Sequence, residues 1–78
     1  MVDEEALFRQ RLSDFVSQKY GSLDRFHLET DFSKGHLSQI IRGRRSPSLA
    51  TMVKLARALE VRVADFFVAE NPKPGFPR

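Results

Sequence analysis

The sequence predicts an all-α domain, a compact arrangement of five short helices. Three observations carry that expectation. Apolar residues recur at helical spacing in successive stretches: Phe8, Leu12, Phe15 and Val16, then Leu37, Ile40 and Ile41, then Leu49, Met52, Val53, Ala56 and Leu59. Stops and caps fall between these stretches, at Tyr20-Gly21-Ser22, Asp31 to Ser33 and Gly43 to Ser48. No alternation of period two runs long enough for a strand.

Asp3 is placed to cap a first helix from about Glu4 to Lys19, whose early carboxylates Glu4 and Glu5 suit the positive end of the helix dipole. Leu7 and Tyr20 lie near the edge of its apolar face. Ser22 caps a second helix, Leu23 to about Thr30, with Phe26 as its clearest core residue. Asp31 is expected to make the following tight turn in the left-handed conformation, which Asp tolerates better than most non-glycine residues. Phe32 turns inward, and Ser33 caps a third helix from Lys34 to about Arg42. Gly43 stops it, and Gly43-Arg44-Arg45-Ser46-Pro47 forms a turn. Pro47 and Ser48 precede a fourth helix, Leu49 to Leu59. Val63, Phe66 and Phe67 suffice for a short fifth helix within 61–68 that closes the core. Three prolines and a glycine follow from Asn71 to Arg78, so residues 1–69 read as one domain and 70–78 as a mobile tail.

Seventy-eight residues allow one small core, near the lower limit for folding without staples. Cysteine is absent, which excludes a disulfide framework, a thiolate metal site and a thiol nucleophile. No apolar run approaches a membrane span, and the acidic start Val2-Asp3-Glu4-Glu5 is wrong for a signal peptide. The expectation is a soluble intracellular protein. Its net charge of +3 is unevenly spread. Residues 1–31 carry four basic and seven acidic side chains, residues 32–62 seven basic and one acidic, and residues 63–78 two of each.

The middle third therefore asks for an anionic partner, and nucleic acid is the usual one. Between Phe32 and Leu59 stand Lys34, Arg42, Arg44, Arg45, Lys54 and Arg57, with no acidic residue. The third helix has one apolar stripe and an outer face of Ser, Lys, Gly, His, Ser and Gln. Such a helix suits a DNA groove, its short polar side chains reaching base edges while flanking arginines neutralise phosphates. Arg42, Arg44 and Arg45 are the candidates for phosphate contacts, which set register without reading sequence. Arg42 has a competing role, capping the carboxyl end of its helix or pairing with a carboxylate.

The second and third helices, joined by a three-residue turn, have helix-turn-helix spacing. The segment from Gly21 to Phe67 resembles the Cro/CI (XRE-like) family of DNA-binding domains. The resemblance is carried by Gly21-Ser22 with Phe26, Phe32-Ser33-Lys34, Leu37-Ser38-Gln39-Ile40, Leu55-Ala56-Arg57-Ala58-Leu59 and above all Arg42-Gly43-Arg44-Arg45-Ser46-Pro47-Ser48-Leu49. It implies a lambda-repressor-like five-helix domain that binds a double-stranded DNA operator as a homodimer, in the cytoplasm of a bacterium or as a phage product associated with the nucleoid. It places Ser33, Lys34, Gly35, Ser38 and Gln39 toward the groove. Lys34 then suits guanine and Gln39 adenine. It also suggests a phosphate near the start of the second helix at Ser22 and Leu23, and another near His36. Departures from the family pattern are Leu23 for Gln, His27 for Ala, Asp31 for the turn glycine, and an Ile41–Val16 apolar pair for an ion pair.

Other functions fare worse. His27 and His36, nine residues apart without Cys or a suitably spaced carboxylate, make no metal site, and His27 reads as a satisfied, partly buried side chain. No cofactor is implied. Neither a catalytic carboxylate pair, a nucleophile with its base nor a phosphate loop is present, which argues against an enzyme. Of the adjacent Phe66 and Phe67, one must point away from the face the other buries, so Val63, Phe66, Phe67 and Val68 are the candidate dimer contacts. The alternative function is a protein-interaction module, antitoxin-like or a co-regulator, using Leu23, Leu28 and Phe76.

Overall fold

The computed structural model describes residues 3–68. They form α1 (Glu4–Tyr20), α2 (Leu23–Glu29), α3 (Lys34–Ile41), α4 (Leu49–Leu59) and a closing 3-10 turn, Val63–Phe67. The expected fifth α-helix is therefore a single tight turn. Arg62 and Val68 on either side are extended, which leaves five residues, too few for regular α-helix. The Asp65 carboxylate accepts from the Arg62 N–H at 2.9 Å and ties the turn off. The Pro-rich segment at 70–78 lies outside the described residues.

Each α-helix starts where a side chain satisfies its orphan N–H groups. The Asp3 carboxylate accepts from Glu5 and Ala6, and the Ser22, Ser33 and Ser48 hydroxyls accept from Arg25, His36 and Thr51. Two helices end in the same six-to-one and five-to-two hydrogen-bond pattern. After α3 the Arg44 N–H reaches Gln39 O at 2.9 Å and the Gly43 N–H reaches Ile40 O at 3.1 Å, with Gly43 at φ 78°. After α4 the Val61 N–H reaches Ala56 O at 2.9 Å and the Glu60 N–H reaches Arg57 O at 3.2 Å, with Glu60 at φ 59°.

Glu60 is the one non-glycine residue with positive φ among those described, so Asp31 does not make a left-handed turn. Side chains shape that turn instead. The Thr30 hydroxyl donates to Phe26 O at 2.7 Å and accepts weakly from the Phe32 N–H at 3.4 Å. His27 Nδ1 lies 2.8 Å from Phe32 O and, facing a carbonyl, must carry the proton. His27 is thus a half-buried, satisfied residue that pins the turn between α2 and α3.

The core is Phe8, Leu12, Phe15, Val16, Phe26, Leu37, Ile40, Leu55, Ala56, Leu59 and Phe66. Long α1 is its spine and packs against every other element. Arg11, within the apolar stripe of α1, is also buried, its guanidinium 3.2 Å from Asp14. Of the expected α4 stripe, Ala56 and Leu59 are buried and Met52 and Val53 half-buried, but Leu55 is buried with them, whereas Leu49 is 67% exposed. Leu49 is the first residue of its helix. Phe66 is fully buried, its ring 4.8 Å from Phe8 and 5.7 Å from Phe15. It cannot serve a dimer; Phe67 and Val68, each 38% exposed, can.

Candidate nucleic-acid interface

The site is built on α2, α3 and the loop from Arg42 to Ser48. Leu37 and Ile40 bury one face of α3. Ile41 is half-buried and packs on the same core that contains Val16, so an apolar arrangement occupies the place where the family has an ion pair. That anchoring turns Ser33, Lys34, Gly35 and Gln39 to the exterior, with Ser38 half-buried beside them. Gly35 opens the face further: a Cβ there would meet no atom within 4 Å.

Lys34 is not simply presented. Its ammonium is ion-paired with Asp24 on α2, and that charge, through a hydrogen bond and direct attraction, holds the Asp24 carboxyl below its usual range. The pair braces the two helices and neutralises the acidic residue closest to the start of α2. Ser22 spends its oxygen on capping, and Leu23 is half-buried against the core rather than exposed.

The helix ends at Ile41, and Arg42 occupies the cap position, its N–H donating to Ser38 O at 2.9 Å. Arg42, Arg44 and Arg45 are all exposed. Among the described residues the ion pairs are Arg11–Asp14, Lys19–Glu60, Arg25–Glu29 and Lys34–Asp24. None involves Arg42, Arg44, Arg45, Lys54 or Arg57. These five cations therefore take part in no internal ion pair. Lys54 and Arg57, with half-buried His36 and the exposed carboxylate residue Asp31, line an open cleft of about 710 Å³ between α4 and the α2–α3 turn.

Two links that the sequence reading missed come from α1. Glu5 Oε1 accepts from the Ser46 hydroxyl at 3.1 Å, and the Arg9 guanidinium packs over Gly43, within 3.3 Å of where a Cβ would stand. Both join residues more than thirty positions apart, so helical periodicity could not reveal them.

A capped recognition helix, a bracing helix across a short turn and a loop of unpaired arginines define the class: a helix-turn-helix domain of DNA-binding type. The helix-turn-helix family model matches residues 22–66, more than half of the chain. The chain belongs to that family, of Cro/CI (XRE-like) kind, whose domains are DNA-binding regulators. Comparison with curated proteins and with solved structures gives no match. Among the described residues no helix is long and apolar enough to cross a membrane, and no His, Cys, Asp or Glu cluster could hold a metal ion.

Proposed function

We propose that the protein is a sequence-specific transcriptional regulator that lays α3 in the major groove of an operator. The observation that carries this reading is that Arg42, Arg44 and Arg45 at the end of α3 and in the α3–α4 loop, and Lys54 and Arg57 on α4, take part in no internal ion pair. Lone charges on a protein that could pair them with its own acidic N-terminal third are best explained by a polyanion. Ser33, Gly35, Ser38 and Gln39 offer a short, polar surface to base edges, with Gln39 suited to adenine. Lys34 joins them once Asp24 releases it, and otherwise orients α3. Arg42, Arg44 and Arg45 grip phosphates and fix the register, with His36 and the start of α2 at Ser22 and Leu23 as further neighbours of the backbone.

Operator binding as a homodimer follows from the family and from the exposed Phe67 and Val68, with half-buried Val63 beside them. Two copies would place their α3 helices in successive major grooves about 34 Å apart. A second reading, a protein-binding module, draws on Leu28, 76% exposed on α2. Leu23 no longer supports it, and Phe76 lies outside the described residues.

Selection of bound sites from a random DNA library, then titration at two salt concentrations, tests the proposal. A two-fold or repeated motif with a large specificity ratio supports the regulator. Weak, sequence-blind binding moves the weight to a protein partner. Replacing Arg44 and Arg45 together with Ala should weaken binding to all sequences and reduce the salt slope by about two units. An unchanged slope removes both from the phosphate set.

A further inference from the structure

We infer that Arg9, on α1, is an additional phosphate-contacting residue, seated with Arg45 where the first turns of α1 meet the α3–α4 loop. This inference rests on the DNA-binding reading and extends it to a helix outside the helix-turn-helix. Its ground is the position of the Arg9 guanidinium, whose Cζ, Nε and Nη1 lie 3.2–3.3 Å from the Cβ position of Gly43. The side chain thus lies across the main chain of the turn that leads directly into Arg44 and Arg45. A groove of about 210 Å³ runs beside it, lined by Glu4, Glu5, Phe8 and Arg9 of α1 and by Arg45, Ser46 and Pro47 of the loop.

Those two carboxylates are the obvious internal partners. Glu5 precedes Arg9 by four residues, the spacing that favours a helical ion pair. Yet among the described residues Arg9 forms no ion pair, and Glu5 instead accepts from the Ser46 hydroxyl. Glu5 holds the loop while Arg9, half-buried and in no ion pair, lies against the same loop. A partly desolvated guanidinium without a counter-charge favours an external anion with planar, bidentate acceptors, and the phosphate next to Arg44 and Arg45 is that anion. Gly43 acquires a second duty here. Beyond adopting φ 78°, it leaves the space in which the guanidinium lies.

The test compares wild type, Arg9→Gln and Arg9→Lys for binding to a random-sequence duplex across a salt series, with the melting temperature of each as a folding control. Arg9→Gln should keep the melting temperature and lower the slope by about 0.9, the value for one phosphate, while Arg9→Lys keeps the slope. A slope in Arg9→Gln equal to that of wild type overturns the inference and leaves the DNA-binding reading intact. Wild type that binds no duplex overturns both. Should Arg9→Gln not fold, wild-type protein can be treated with an arginine-selective dicarbonyl reagent with and without duplex. Protection of Arg9 by DNA supports the contact, and equal modification in both samples rejects it.

Discussion

Glu60 occupies a position built for glycine. It is the residue after α4 whose left-handed φ of 59° completes the helix-ending hydrogen bonds, a conformation that costs a residue with a Cβ more than it costs glycine. What Glu60 offers in return is an exposed ion pair with Lys19, which contributes little. Glu60→Gly should therefore raise the melting temperature at neutral pH. The pair holds the Glu60 carboxyl below its ordinary range, chiefly through the hydrogen bond from Lys19. Its contribution is thus complete above the unfolded carboxyl value of about 4 and vanishes as pH falls through the folded one. The advantage of Glu60→Gly over wild type should accordingly be larger in acid than at neutrality. A variant that melts lower at both pH values would show the left-handed site to be unstrained. Gln39 is the other residue with a sharp expectation. It is exposed midway along α3, and Gln39→Ala should cost about 1–3 kcal/mol on the operator and little on random DNA. Equal losses on both would show that it reads no base.

At the scale of elements, the basic loop is held at two places and the recognition helix at one. Glu5 and Arg9 tie the loop to α1, and the Lys34–Asp24 pair ties the start of α3 to α2. On the proposed reading that last link opposes binding, since it occupies a cation of the α3 face assigned to the groove and keeps a carboxylate beside it. Asp24→Asn should bind every duplex more tightly at low salt. The gain should fade once the Debye length shortens to about 10 Å at 0.1 M. Binding equal to or weaker than wild type would mean that bracing α3 matters more than freeing Lys34. α1 itself is fastened at both ends. Near its carboxyl end the Tyr20 hydroxyl donates to Ala58 O at 3.0 Å, so the helix that forms the core also sets the distance between the loop and the end of α4.

For the whole molecule, the adjacent pair Phe66 and Phe67 divides stability from association. Phe66, enclosed by Phe8 and Phe15, holds the closing turn to α1. Phe66→Ala should cost about 3–5 kcal/mol, a large share of what so small a domain possesses. Phe67 is 38% exposed, and its ring touches Phe8 only at 5.9 Å. Phe67→Ser should change the melting temperature much less and shift sedimentation toward monomer. A dimer of unchanged strength would free this face from the interface. Among the described residues, four helices and one turn thus present an acidic start, a basic α3–α4 loop and a small apolar end.

Much of this was legible in the order of residues. Capping serines at 22, 33 and 48, the glycine at 43, the apolar stripes of α1 and α3, and the acid-free arginine run are local signals, each acting within one or two turns of its own position. They determined the helices, the helix-turn-helix and the basic stretch proposed to meet a polyanion. Tertiary structure alone decided matters that depend on which neighbours close in from afar. Packing added Leu55 to the buried face of α4, left Leu49 exposed, and chose Phe66 over Phe67 for the core. The Thr30 hydroxyl and His27, rather than a left-handed Asp31, made the turn. Asp24 took Lys34, Ser46 took Glu5, and Gly43 made room for Arg9. Periodicity records the angle of a side chain about its own helix; a partner across the fold is set by the packing of all the helices together.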